Sequence, residues 1–144
     1  MSDELNGKPP TSYYIIAAAF LAWNLIGLMF YYQQMTLTPE VLAGMDVEMA
    51  GFVEATPVWA NSGYAIAVNA GVLASIALLL RKRWAFALFT LSFVGVLVQD
   101  LDAFVLRDVV AVWGGSAFYV PSAVIVIGLV ELWYSHSVAN RYYG

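Results

Sequence analysis

The chain has 144 residues, of which 62% are hydrophobic and 11% charged, and its mean hydropathy is +0.75. A soluble domain carries about a quarter of its residues as charged side chains; this chain cannot cover itself in water, so lipid must solvate much of it. It has no cysteine, a single histidine (His136) and a net charge of −4. Disulfides, Cys-ligated zinc, iron–sulfur clusters, thiol catalysis and a haem held by two histidines of one chain are thereby excluded, and without a basic patch so is nucleic-acid binding.

Met1 to Pro10 is polar, with Asp3 and Glu4 where a signal peptide places basic residues. The apolar run that follows is therefore expected to be a retained first span, from about Tyr13 to Tyr32. Further segments of the roughly 20 residues needed to cross a bilayer are predicted at Val58 to Leu80, Trp84 to about Phe104, and about Ser116 to Tyr134. Backbone groups in lipid need internal partners, so each span is predicted helical. Tyr13, Tyr14, Tyr31, Tyr32, Trp59, Trp84, Trp113, Trp133 and Tyr134 stand at span ends, as interfacial belts do. The expected fold is all-α: an integral membrane four-helix bundle forming one domain over the whole chain.

Between spans one and two, Thr38, Pro39 and Glu40 form a helix-start signal, a hydroxyl cap followed by proline and an acid in the first turn. Val41, Leu42, Met45, Met49 and Phe52 share one stripe, which predicts a short amphipathic helix lying on the membrane or capping the bundle. Basic residues set the orientation. Four spans put Lys8, Arg81, Lys82, Arg83 and Arg141 on one side and Arg107 on the other. Both termini and the tight Arg81–Arg83 loop are accordingly expected in the cytoplasm, and the amphipathic segment outside it.

In span two, Gly63, Ala67, Gly71 and Ser75 recur every four residues, a groove for close approach of another helix. Asn61, Ala65 and Asn69 form a second stripe. Asn24 and Asn69 fall near mid-depth, where an amide is costly unless paired, and they can pair with each other. Asn61, Gln99 and Asp100 fall in the outer third and, with Asp102, are expected to line a polar recess. Asn61, Gln99, Asp100, Asn69 and Asn24 are thus the candidate solute-binding residues. The competing reading makes Asp100 and Asp102 the wet end of span three, with Asp100 paired to Arg107 on the same helix face. Glu131, in the last turn of span four, is expected to pair with Arg81, Lys82 or Arg83; the alternative is a proton-coupling carboxylate. His136 is expected to be solvated, and Pro121 to bend or loosen the start of span four. No nucleophile–base pair, metal cluster or phosphate-binding glycine loop is present, so no catalytic residue, metal or cofactor is expected.

These residues together resemble a family of small bacterial four-helix inner-membrane proteins, functionally uncharacterised, some of whose members are labelled "sugar transporter". The resemblance covers nearly the whole chain. It is carried by Trp23 with Asn24, Thr38 to Leu42, Pro57 with Trp59, the run Gly63-Tyr64-Ala65-Ile66-Ala67-Val68, Leu79 to Ala85, Gln99, Pro121, and Trp133-Tyr134-Ser135. These features are marks of packing and topology, and they bring no binding residue with them. The function expected is that of a non-catalytic accessory or interaction protein within a larger membrane complex; the alternative is a small-solute, sugar-type transporter or binding protein acting as a homo-oligomer.

Overall fold

In a computed structural model, residues 9–138 are described; Lys8 and Arg141, used above for orientation, and the polar stretch before Pro9 lie outside them. The described residues are helical, without strands, and four helices are long and apolar enough to cross a membrane. They are α1 (Thr11–Met35), α4 (Val58–Leu79), α5 (Ala85–Asp100) with its continuation to Leu106, and the segment Val109–Ser137. α2 (Pro39–Ala43) and α3 (Val47–Glu54) connect the first two. Beyond α5 come a π-helical turn (Leu101–Leu106), α6 (Val109–Trp113), a 3₁₀ turn (Gly114–Phe118) and α7 (Tyr119–Ser137). The first span thus starts before Tyr13 and ends after Tyr32, and the fourth runs past Tyr134; α1, at 25 residues, is about 38 Å long.

The expected single amphipathic helix is two. Gly44 ends α2, and the Asp46 carboxylate caps α3 by accepting from Glu48 N at 2.9 Å and Met49 N at 3.4 Å. Thr38 Oγ1 accepts from Val41 N at 3.3 Å, as the start signal required. Leu42, Met45, Met49 and Phe52 are half-buried, whereas Val41 is exposed, so the stripe survives the break with one member lost.

The tight loop between α4 and α5 is a Schellman motif. Lys82 N–H reaches Ala77 O at 2.8 Å, Arg81 N–H reaches Leu78 O at 3.0 Å, and Arg81 takes the left-handed position usually held by glycine, with φ 59. This loop marks one end of the bundle, called here the basic end; α2, α3 and α6 gather at the opposite end.

α1 packs on α4, α4 on α5, and α5 on α7. The α4–α5 seam is the tightest. A Cβ added at Gly95 would lie 2.5 Å from Gly63 O and 2.8 Å from Ala67 N, so Gly63, Ala67 and Gly95 let two backbones touch. Ser92 Oγ bridges the seam to Ala67 O at 2.6 Å. The ring closes between α1 and α7 in the basic half, where Tyr134 packs its ring 6.2 Å from Tyr13 and 5.9 Å from Phe20, and Phe20 meets Phe89 edge-on at 5.9 Å. Tyr13, Ala17, Ala74, Ala77, Leu78, Ala85 and Phe89 form the dry core around them, and Tyr13 Oη donates to Leu78 O.

Pro121 sits in the first turn of α7, where its missing N–H breaks no intrahelical bond. A 3₁₀ turn, Gly114–Phe118, precedes the helix. His136 is exposed, its ring 5.2 Å from Phe86.

Candidate functional site

Three polar side chains meet where the aromatic core ends. Asn24 is 8% exposed at mid-helix in α1, and its Nδ2 donates to Phe20 O at 2.8 Å, to Glu131 Oε2 at 2.7 Å and to Ser75 Oγ at 3.3 Å. Ser75 Oγ donates in turn to Gly71 O at 2.8 Å. Gly71 is required for this arrangement, because a Cβ there would strike the Asn24 amide. The small-residue stripe of α4 therefore serves two neighbours: Gly63 and Ala67 face α5, and Gly71 and Ser75 accommodate the Asn24 amide of α1.

Two expectations are corrected by this cluster. Asn24 does not pair with Asn69, which is exposed and donates to Ala65 O of its own helix at 2.8 Å. Asn69 lies two positions from Gly71, hence more than half a turn around α4, and points away from the bundle. Nor does Glu131 pair with Arg81, Lys82 or Arg83. It is 5% exposed, faces inward more than a turn from the end of α7, and bonds to Asn24. Its second oxygen, Oε1, takes no hydrogen bond from a described residue.

Beyond this level α1 and α7 enclose a cavity of about 220 Å³. Its walls are apolar and aromatic, with Trp23 and Phe30 from α1, Tyr64 from α4, Phe89 and Phe93 from α5, and Val120, Pro121 and Val124 at the start of α7. Polar groups enter at its two ends: Asn24 and Glu131 toward the basic end, Gln99 and Asp100 toward the opposite end. Along α5 it extends from Phe89 to Asp100, about 16 Å at the helical rise. Among the expected site residues, Asn24, Gln99 and Asp100 are brought together in this cavity. Asn61 is not part of its lining, although its Oδ1 is buried without a partner; Asn69 is outside as well. Glu131, expected to be a structural partner of the basic loop, belongs to the cavity.

Asp100 does not pair with Arg107. Arg107 instead forms a bidentate ion pair with Asp102, Nη2 to Oδ2 at 2.7 Å and Nε to both carboxylate oxygens at 3.0 Å. The cause is the π-helical turn: Arg107 N–H bonds to Asp102 O, an extra residue is taken into that turn, and the face an α-helix would give to Asp100 passes to Asp102. Arg107 also donates to Phe52 O at 2.7 Å and Thr56 Oγ1 at 3.0 Å, and lies 3.9 Å over the Phe52 ring. Trp113 meets Phe52 edge-on at 5.4 Å. Arg107 thus ties α3 to the π-helical continuation of α5, and the Trp113–Phe52 ring contact adds α6. Asp100 is left in the cavity lining with its Oδ2 buried and without a partner.

The small-residue stripe of α4 could be read in the sequence; its α5 counterpart Gly95 and the Asn24–Ser75–Glu131 cluster could not. By the expected span bounds Asn24 falls near mid-depth and Glu131 in a last turn, so nothing in the sequence brings them to one level. No family model, no curated protein and no solved structure matches the chain.

Proposed function

We propose that the chain is a multi-pass inner-membrane protein, with both termini in the cytoplasm, that binds a small solute in the cavity between its four spans. The observation that carries this reading is a pair of carboxylates, Asp100 and Glu131, lining one apolar cavity among transmembrane helices without an ion-pair partner among the described residues. Ionisable groups in a span are costly and usually line a substrate or ion path, and an apolar pocket with a few placed polar groups is the ordinary form of a small-molecule site. The aromatic plug of Tyr13, Phe20, Phe89 and Tyr134 stops the cavity short of the basic end. A transport cycle therefore requires that plug to open or a second copy of the chain to complete the path. No catalysis is part of this reading.

The accessory-protein function expected from the sequence rests on the small-residue groove of α4 and on the absence of a committed site. Gly63, Ala67 and Gly71 spend that groove inside the bundle, which leaves little of it for a partner. Kinship with the uncharacterised four-helix family is compatible with either function.

The test is thermal stability of the purified protein in detergent against a panel of small neutral, cationic and anionic solutes. At least one is expected to raise Tm, with a smaller shift in Asp100→Asn. A panel without effect, together with a stable heteromeric partner in native membrane extracts, favours the accessory function instead. Orientation is tested separately: a reporter active only in the cytoplasm should work when fused after Arg83 and be silent near Met45.

A further inference from the structure

We infer that the cavity takes a small organic cation, an apolar amine or quaternary ammonium, with its charged head at Glu131 and its body against Trp23, Phe89 and Phe93. This rests on the cavity being a solute site, and it names the class of solute. Charge is the first ground. Two carboxylates line the cavity, and no Lys, Arg or His does so among the described residues. An anion would face uncompensated repulsion there, whereas a cation would supply the counter-charge that the protein omits.

The second ground is what is left open for bonding. Asn24 Nδ2 is already shared between Phe20 O, Ser75 Oγ and Glu131, and Ser92 Oγ is held by Ala67 O. The open positions on the carboxylates are acceptors: Oε1 of Glu131, itself 5% exposed, and Oδ2 of Asp100. Trp23, Tyr64 and Gln99 bring donors to other parts of the lining, but at the Glu131 floor the open group is an anionic acceptor, which attracts a cationic head more than a polyol ring. The third ground is the walls. Aromatic faces attract cations when water is excluded, and the volume of about 220 Å³ is below the usual drug-sized pocket, which restricts the ligand to a small amine. Asp100, in the lining toward the opposite end, meets the cation on entry; Glu131, at the floor, holds it.

The experiment measures binding of four probes to the purified full chain in detergent: benzyltrimethylammonium, its neutral carbon isostere neopentylbenzene, the anion 3-phenylpropionate, and glucose. Benzyltrimethylammonium is expected to bind at least about tenfold more tightly than the isostere, and Glu131→Gln to remove that preference while Glu131→Asp retains most of it. The comparison of probes is made on the wild type, so it stands even where Glu131→Gln does not fold. Equal binding of the isostere, or tighter binding of the anion or glucose, overturns the cation assignment while leaving the cavity a solute site. Absence of binding by all four probes overturns the cation assignment; the solute-site reading then falls only if the wider panel is silent too.

Discussion

The two halves of the bundle solve different problems with the same four helices. In the basic half, Tyr13, Phe20, Leu78, Phe89 and Tyr134 fill the space between the spans, and the Tyr13 hydroxyl donates to the Leu78 carbonyl within that core. In the opposite half, α1 and α7 are held apart by a cavity; the Gly63–Gly95 seam still joins α4 to α5, and outside the spans Arg107 ties α3 and Asp102 together. Helices in lipid gain nothing from the hydrophobic effect on each other, so packing and internal polar bonds must hold them. One half fills its interior with side chains; the other adds an ion pair to the α4–α5 seam and keeps its interior open. An opening that costs packing is expected where function needs room.

The comparison breaks most completely at the seam both halves share. Gly95→Leu places a branched side chain against Gly63 O and Ala67 N, backbone atoms that have nowhere to go. Overpacking costs typically about 1–3 kcal/mol and more where backbones must separate, so this variant is expected to lose the folded bundle altogether. Ala19→Leu on an exposed face of α1 is the control, and monodispersity in detergent is the measurement. A monodisperse Gly95→Leu with wild-type Tm would mean the seam is looser than drawn.

Next in size is the clamp. Arg107→Gln leaves Asp102, whose side chain is 3% exposed, buried without its counter-charge, and also removes the bonds to Phe52 and Thr56. Breaking such a pair from one side costs roughly 3–5 kcal/mol. Asp102→Asn is expected to cost less, and the double variant less than the sum, which a thermodynamic cycle measures as coupling. Additive losses would dissolve the clamp.

Packing in the two halves is then separated by matched truncations. Leu78→Ala in the dry core is expected to cost about 2 kcal/mol, the low end of the range for soluble cores, because the reference state stays in lipid. Val124→Ala, on the cavity wall, enlarges a space that is already open and should stay within about 0.5 kcal/mol. Equal losses would mean that the cavity is closed in the protein in detergent.

Which parts of this were legible in the sequence follows from the range over which each is determined. Span number, the Thr38 start signal and the α4 glycine stripe are local or periodic, and a single helix suffices to display them. The partners of Asn24, Glu131 and Arg107 depend on how helices meet. Glu131 was assigned to the basic loop because depth along a helix is readable and the direction a side chain faces across a bundle is not. Asp100 was paired with Arg107 by α-helical geometry, and the π-helical turn at Leu101–Leu106 moved that partnership to Asp102. Asn61 and Asn69 enter the expected site by depth, and depth does not fix which way a side chain faces; Asn69 faces outward.

The smallest expected effect is the most discriminating for the site. Asp100→Asn removes a charge from a residue that has no ion pair among the described residues and whose Oδ2 has no hydrogen-bond donor. Nothing that holds the bundle together is lost, and Asn keeps the shape, so stability should change by no more than about 0.5 kcal/mol, in contrast to Asp102→Asn two residues away. A group kept in the lining of a transmembrane cavity without a structural partner is one whose removal should register in solute binding before it registers in Tm. Chemical denaturation and solute titration on the same preparation distinguish the outcomes. Unchanged stability with weakened binding places Asp100 on the solute's path. A stability loss that disappears in the Arg107→Gln background would return Asp100 to the clamp, making the opposite half a single ion-pair network without a free carboxylate.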